Sequence, residues 1–482
     1  MHLGCYDLRV LLVEPPKDFW FVLGEYIPPP FGILTLAAYL EANSQEVEIE
    51  VVDCQAEQIS WESLERRMGS FQPDLVAPSG LGTCNASNVL HTVNLAKQVN
   101  PSIRTVVGGQ HFTALADETL KTQENVDFIV RGEGEQTLAA LVRALQQHTP
   151  LDSVEGLSVK HHGQVVHNPD RPLLPDLNAL PMPAYHLVKQ HMRKYYFALM
   201  ATKNTPFAIV EGSRGCVHNC TYCSQWKFWE NTQRSKSPQR IADELERLYT
   251  AYGTRFFWLT DDNTGLGARM DALCDEIIRR KLGDDITWFI QARCDDIVRS
   301  KGVVPRMRKA GNVWMLVGYE GPDAKTLETF RRRGSTPSAA KESVALLKKN
   351  DIFVQGTFII GQRDDSHESI KHLLEYADWL DPDIATFMTL TPFPGTDVYE
   401  TAKAQGLIED YDWSHYDMIH AIMPTNHLTR AELQKELYDC YRTYFGAWNR
   451  IYGRIFSGNP ITRQTYQYLA RKAILTNLRS LF

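Results

Sequence analysis

Three cysteines in the stretch GSRGCVHNCTYCSQW are the residues of this 482-residue chain best placed to do chemistry. Cys216, Cys220 and Cys223 are separated by three and then two residues, which puts three thiolates on one tight loop facing a common point. A structural zinc site would recruit a fourth Cys or His. No second cysteine pair lies nearby, although His218 sits inside the loop. An iron-sulfur cluster is ordinarily held by four thiolates, so three would leave one iron open to bind something else. A zinc knuckle or a chance grouping of buried cysteines is the bland alternative. The other six, Cys5, Cys54, Cys84, Cys274, Cys294 and Cys440, form no second cluster pattern. Nine cysteines is an odd number for a disulfide framework, which points to metal or redox use of the clustered set.

The loop directly follows the strand-like run PFAIVEGS, and beyond it strand and helix patterns alternate. The helices are PQRIADELERLYTAY, ARMDALCDEIIRRK, GVVPRMRKA, AAKESVALLKKN and HESIKHLLEYADWL; the strands are RFFWLTDDN, DITWFIQARC, NVWMLVGYEG, IFVQGTFIIGQ and DIATFMTLTPFPG. Six strands with intervening helices are too few for a closed eightfold barrel and suit a partial one. Upstream, LRVLLVEPP, VEIEVVDC, PDLVAPSG, IRTVVGG and VDFIVRGEGE alternate with helical patterns such as FGILTLAAYLEAN and EQTLAALVRALQQH. That alternation predicts a doubly wound parallel sheet. The expected fold class is therefore α/β. A Rossmann-like domain spans 1–148 and an irregular Pro-, His- and Asn-rich linker with a hairpin spans 149–205. A partial barrel spans 206–398 and a mainly helical extension 399–482.

Composition agrees with a multidomain globular chain, at 43% hydrophobic and 23% charged residues. Lys+Arg 51 against Asp+Glu 58 gives a net charge of -7, which argues against a surface given over to nucleic acid or anionic membrane. The N-terminal run MHLGCYDLRVLLVEPP lacks the plan of a secretory signal, and no apolar stretch reaches the ~20 residues of a membrane span. A cytoplasmic protein is expected, with no membrane span and no nucleic-acid partner.

The run Cys216-Val217-His218-Asn219-Cys220-Thr221-Tyr222-Cys223, placed after the first strand of a six-unit domain, resembles the C-x3-C-x2-C signature of radical S-adenosylmethionine (SAM) enzymes. The resemblance implies that the cysteines hold a [4Fe-4S] cluster whose open iron chelates the amino and carboxylate groups of S-adenosylmethionine. An electron from the cluster would cleave the sulfonium to a 5'-deoxyadenosyl radical, with Tyr222 beside the cofactor. Further contacts are expected at the carboxyl ends of the other strands. Asp261 and Asp262 would accept hydrogen bonds from the amino group. Gln291 and Arg293 follow, the arginine offering its fork to the methionine carboxylate or the ribose side. Glu320 ends the fourth strand, and Gly356 to Gly361 (GTFIIG) would give the adenine a flat apolar strand.

The N-terminal domain resembles the cobalamin-binding domain that precedes the barrel in one large branch of that superfamily. The matching pieces are Ser79-Gly80-Leu81 after the third strand, Gly108-Gly109-Gln110 after the fourth, and RGEGE, with Gly132 and Glu133, after the fifth. Small residues suit a groove that a nucleotide tail must thread. One departure stands out. The family's first loop carries Asp-x-His-x-x-Gly, whose histidine ligates cobalt, whereas here Trp20 follows Asp18 by two residues. Cobalamin is then expected without a histidine ligand, Trp20 either facing it or packing as a core aromatic.

Together the resemblances imply a cobalamin-dependent radical SAM enzyme, a class B C-methyltransferase that methylates an unactivated sp3 carbon by way of methylcobalamin. The acceptor would be a protein or peptide side chain, as in methyl-coenzyme M reductase, or a small molecule; the electron donor would be a flavodoxin or ferredoxin. An oxidative cyclase of the magnesium-protoporphyrin ester type and a non-catalytic corrinoid-binding protein remain alternatives. The aromatic, basic tail beyond about residue 400 is expected to cover the barrel mouth and exclude water from the radical.

Overall fold

Aliphatic runs bounded by Pro, Gly and Asp set the strands of both domains. A computed structural model describes residues 8–17, 26–80, 82–161, 163–198 and 205–479, with the backbone alone for 448, 449 and 472–479. In the first domain the elements are β1 (Leu8–Glu14), α1 (Phe31–Asn43), β2 (Val47–Asp53), α2 (Trp61–Phe71), β3 (Leu75–Pro78) and α3 (Ala86–Val99). They continue with β4 (Arg104–Gly108), β5 (Phe128–Val130) and α4 (Gly134–Gln147). Five strands pair in parallel in the order β2-β1-β3-β4-β5, a doubly wound arrangement whose ligand crevice lies beyond the strands' carboxyl ends. β1 reads LRVLLVE and is buried on both faces, as helices on both sides of a parallel sheet require.

The segment expected as a linker belongs to both domains. β6 (Leu157–His161) and β7 (Gln164–His167) form the expected hairpin, but it extends the first sheet, β6 pairing antiparallel with β5. Further on, Tyr196 and Phe197 pair with Tyr26 and Ile27 of the first domain. The Phe197 ring lies within 6.3 Å of Phe207, Phe256, Phe289 and Trp314. Proline and histidine content marked this segment as irregular; its isolated aromatics, Tyr185, Tyr195 and Phe197, are fully buried and stitch the domains together.

The second sheet holds six parallel strands in sequence order: β8 (Phe207–Val210), β9 (Phe256–Leu259), β10 (Thr287–Arg293), β11 (Asn312–Glu320), β12 (Phe353–Ile360) and β13 (Ile384–Thr389). Crossover helices include α5 (Pro238–Tyr252), α6 (Ala268–Arg279), α7 (Pro337–Lys349) and α8 (His367–Leu380). Ser237 and Thr336 cap α5 and α7, each followed by proline at the first helical position, and Ser366 closes a capping box on α8. The strands' amino ends are plugged by stacked rings, with Phe289 4.1 Å from Trp314 and 5.5 Å from Phe256.

An open six-stranded sheet has two edges, and each is satisfied by tyrosine. The Tyr185 hydroxyl donates to the Ile209 carbonyl (2.7 Å) and accepts from its N–H (3.1 Å) on β8. At the other edge the Tyr441 hydroxyl donates to Phe387 O (2.8 Å) of β13, and Tyr444 donates to Pro382 O (3.3 Å). Tyr441 and Tyr444 belong to α9 (Arg430–Gly446), which is followed by α10 (Trp448–Ile455) and α11 (Pro460–Arg479).

The expectation for the tail is thereby divided. Residues around Met418 do reach the barrel mouth, but α9 covers the β13 edge. Arg450 and Arg454 tie α10 to Asp378, Asp381 and the Pro382–Asp383 carbonyls, before the start of β13. With Leu433, Leu437, Cys440 and Tyr444 in the main core, cutting the chain after residue 400 would uncover both an edge and a core. Among the described residues no helix is long and apolar enough to cross a membrane.

Candidate functional site

The cysteine loop leaves β8 through a short antiparallel pair, Ser213–Gly215 with Gln233–Ser235. Gly215 donates its N–H to Asp262 Oδ2 (2.8 Å), fixing the strand that delivers Cys216. Past the first cysteine, Cys223 N–H donates to Cys220 O (3.2 Å) and Trp226 Nε1 donates to the same carbonyl (3.0 Å). All three thiols, with His218, line one cavity of about 280 Å³ at the carboxyl ends of the strands. Burial pushes the Cys223 thiol up to about 12 and the Cys216 thiol upward as well. Among the described residues no three His, Cys, Asp or Glu side chains are arranged to hold a single metal ion. Three thiols on one cavity wall are a donor set that fits a cluster of several irons. Cys274 and Cys294 are buried outside this cavity.

Strand alternation decides which predicted residues reach the cavity. On β11, Leu316, Gly318 and Glu320 line it and on β12 Thr357 and Ile359 do, while at the end of β10 Gln291, Ala292 and Arg293 all reach it. The expected Gly356 is on the other face, where a Cβ would meet Tyr319 Cδ2 at 2.9 Å and Pro382 Cγ at 3.2 Å. Gly361 ends the strand against Leu433 of α9 and is no cavity wall either. The aspartate pair divides in the same way. Asp262 lines the cavity, whereas Asp261 accepts from the N–H groups of Gly212 (2.8 Å) and Ser213 (2.9 Å) and pairs with Arg269 (2.8 Å). Its carboxylate shapes the loop beneath the cysteines and is turned away from a ligand. Burial, with Glu211 and Asp261 nearby, lifts the Asp262 carboxyl to about 6.

Charge is concentrated opposite the thiols. Arg293 donates to Asp295 (3.0 Å) and to the Arg333 carbonyl, yet its Nη1 is buried without a partner. Arg332 donates to Gly318 O (2.7 Å) and lies 3.2 Å from Glu320 Oε1, while its Nε is unpartnered. Tyr222 donates its hydroxyl to Glu320 Oε1 (3.0 Å) and meets Phe330 edge-on. Glu320 has a φ of 60°, a left-handed conformation that a non-glycine residue holds only when its surroundings impose it. Two guanidiniums with spare N–H groups beside Glu320 and Asp262 match an α-amino acid zwitterion, which is the polar end of S-adenosylmethionine. Arg332 was missed in the sequence because FRRRGST reads as a solvated charge run. Met388, Leu390, Phe393 and Met418, which supply apolar wall, carried no signal beyond ordinary core residues.

A second space, about 230 Å³, opens at the carboxyl ends of β3, β4 and β5 beneath α1 and α4. Ser79, Gly108, Gly109, Gly132 and Glu133 line it, joined by Phe31, Thr35 and Leu138. Gly109 and Gly132 have φ of 84° and 67°, and a Cβ at either would meet nothing within 4 Å, so side chains there would project into open space. This cradle suits a bulky ligand tail. Gly80 does not line it; a Cβ there would strike Asn85 at 2.7 Å, so this glycine serves the packing of the loop on α3. Gln110 turns from the crevice to the cysteine loop, bonding Gln225 (2.6 Å) and Ser224 (2.9 Å). The Glu133 carboxylate is held by Arg214 (2.7 Å) and Arg234 (2.9 Å). Leu81 and Trp20 lie outside the described residues.

Comparison with known proteins agrees with this two-space plan. Residues 23–142 match the family model described as B12 binding domain, and residues 210–377 match that of the Radical SAM superfamily. An uncharacterized methyltransferase of Pyrococcus horikoshii is 31% identical over 441 residues, 91% of this chain and 92% of that protein. The anaerobic magnesium-protoporphyrin IX monomethyl ester cyclase of Rubrivivax gelatinosus is also 31% identical, over 91% of this chain and 77% of the cyclase. Among solved structures, the radical S-adenosylmethionine methyltransferase TsrM from Kitasatospora setae, with cobalamin and a [4Fe-4S] cluster bound, superposes with a TM-score of 0.74 at 16% identity, covering 98% of this chain and 100% of TsrM. At that identity the likeness is one of fold.

Proposed function

The chain belongs to the cobalamin-dependent radical S-adenosylmethionine family of methyltransferases and their cyclase relatives, and from that premise we propose that it transfers a methyl group to an unactivated sp3 carbon. The single observation that carries the reading is the pairing of two unlike spaces. One is walled by three thiols and spare guanidinium N–H groups, and the other is a crevice kept open by glycine; Cys216, which lines the first, follows Arg214, which lines the second, by two residues. When bound, the cluster, S-adenosylmethionine and corrinoid supply one-electron cleavage and methyl carriage, which no side chain performs.

The chain's own residues do the rest. Cys216, Cys220 and Cys223 would hold the cluster through their thiolates. Arg293 Nη1 and Arg332 Nε receive the aminoacyl carboxylate, while Glu320 and Asp262 face its ammonium. Gln291 donates its amide to the Asp261 and Asp262 carbonyls and so fixes the β9 end that carries them. Met388, Leu390, Phe393 and Met418 keep water from the reacting carbon. In the crevice, Ser79, Gly108, Gly109 and Gly132 admit the corrinoid's tail. The acceptor is a peptide side chain or a small molecule, the electron donor a flavodoxin or ferredoxin, and the compartment the cytoplasm.

Anaerobic turnover with methyl-labelled S-adenosylmethionine, followed by mass spectrometry of candidate acceptors, tests the reading. A product in which one labelled methyl replaces hydrogen supports it. An oxidised, unlabelled product overturns it in favour of the cyclase, and reduced protein that cleaves no S-adenosylmethionine returns the chain to a binding role.

A further inference from the structure

Side chains from the segments that follow β4 and β5, at the crevice, grip the cysteine loop at both of its ends. Before it, Arg214 stands two residues ahead of Cys216 and is almost fully buried. Its Nη1 lies 2.7 Å from Glu133 Oε1, at the end of the loop after β5, and its Nη2 2.6 Å from Glu135 Oε1, in the first turn of α4; Nε reaches Glu211 at 3.0 Å. Burial opposes the charge on Arg214, and these carboxylates outweigh it, holding the guanidinium's pKa above its ordinary value. After the loop, Ser224 directly follows Cys223 and donates to Gln110 Oε1 (2.9 Å), in the short helix Gly109–Ala114 that follows β4. Gln110 Nε2 in turn donates to Gln225 Oε1 (2.6 Å), which also accepts from Trp229 Nε1 (3.0 Å). Trp229 walls the crevice and lies beneath the guanidiniums of Arg214 and Arg234.

We propose that Arg214 and Gln110 are positioning residues of a two-point clamp that sets the distance between the cluster site and the corrinoid site. The proposal rests on the cofactor reading above. A loop pinned at one end can still swing; pinned at both ends by the strand-end segments at the other cofactor's crevice, it can move only with them. The ion pairs are shielded from solvent, so salt does not loosen them as it would a surface bridge. Arg214 uses its planar fork to hold two carboxylates at once, a geometry lysine lacks. Transfer among three bound groups tolerates little misplacement, which gives such a clamp its use.

Pulsed paramagnetic resonance on holoenzyme carrying the reduced cluster and cob(II)alamin reads the distance between them. Wild type should give one narrow distribution. R214K, which keeps the charge but loses the fork, should broaden it roughly twofold, with iron and corrinoid content unchanged. Gln110→Ala removes a neutral, half-buried side chain and keeps the test alive should R214K fold poorly. It should broaden the distribution too, and Gln110→Glu, which still accepts from Ser224, should fall between. Unchanged widths in Q110A and R214K, even with a lowered melting temperature, would overturn the clamp and leave these residues a merely structural part. Absence of a cluster or corrinoid signal from wild type would sink the cofactor reading and the clamp with it.

Discussion

The crevice of the first domain and the cavity of the second are made by opposite means. The crevice exists because side chains are missing: Gly109 and Gly132 stand where any Cβ would point into open space. The cavity exists because side chains converge: Arg293, Arg332 and Glu320 are buried and Asp262 is half-buried, with part of their hydrogen-bonding capacity unspent or opposed. A space made by absence is damaged by adding atoms. One made by convergence is damaged by removing a partner, because the group left behind is buried and alone.

The comparison is broken most severely by exchanging the two kinds of damage. Cys216→Ala, Cys220→Ala and Cys223→Ala combined should abolish iron binding, read as iron per chain after anaerobic reconstitution, while corrinoid affinity is retained. Gly109→Leu or Gly132→Leu should do the reverse. Left-handed strain of ~1–2 kcal/mol plus a blocked groove should lower corrinoid affinity about 100-fold, or ~2.7 kcal/mol, with iron content unchanged. G80A belongs with neither: it should lower stability through its clash with Asn85 and leave affinity alone. If G109L kept wild-type corrinoid binding, the crevice would be the wrong space.

The same division explains what the sequence could reveal. Glycines after β3, β4 and β5 mark strand ends in any doubly wound sheet, and four of the five small residues expected in the crevice, Ser79, Gly108, Gly109 and Gly132, do line it. Gly80 fails because a glycine needed for helix packing reads the same as one needed for a ligand. In the barrel the strands were legible and their faces were not. With both faces of β12 buried, its apolar residues read alike on either side, and the one sign in FVQGTFII is the pair Gln355 and Thr357, two residues apart and so on one face, of which Thr357 lines the cavity. A one-residue ambiguity is then a whole-face error, and the same ambiguity hid the difference between Asp261 and Asp262. Met418 was beyond reach because it arrives by a tertiary contact, its carbonyl accepting from Thr389 N–H at 2.9 Å.

The aspartate pair supplies a sharper and smaller test. Asp261 is 1% exposed and engages two backbone N–H groups and Arg269. Asp261→Asn should therefore cost ~3 kcal/mol of unfolding free energy by leaving buried charge unpaired. Asp262→Asn retains an oxygen for Gly215 N–H and relieves a carboxylate whose ionisation burial opposes, so it should shift stability by under ~1 kcal/mol. Its effect should appear in S-adenosylmethionine binding, weakened about 10-fold, or ~1.4 kcal/mol. Denaturant unfolding and equilibrium binding separate the two. A D262N protein less stable than D261N, with full binding, would invert the assignment of faces.

The smallest effect links the two regions where they touch outside the ligand spaces. His111, in the short helix after Gly109, is 8% exposed, with an unpartnered Nδ1 and its ring 4.9 Å from Trp413 of the segment that reaches the barrel mouth. Burial pushes its pKa down to about 4. The unfolded chain would bind the proton near pH 6.5, so between these values the unfolded state carries more protons and stability rises with pH. The loss begins as pH falls below about 6.5 and reaches ~2 kcal/mol at pH 5. Asp53 and Asp262 work in the opposite direction, since burial lifts each carboxyl to about 6 and protonation of either favours the fold. Wild type alone thus mixes two opposed slopes, and the difference between wild type and His111→Met isolates the histidine. At pH 7 that substitution exchanges a neutral, unpaired ring for an apolar chain and should change stability little. At pH 5 the variant should be the more stable protein by ~2 kcal/mol in urea unfolding. Equal unfolding curves at pH 5 would mean that His111 is protonated in the fold, and that its contact with Trp413 opens to water.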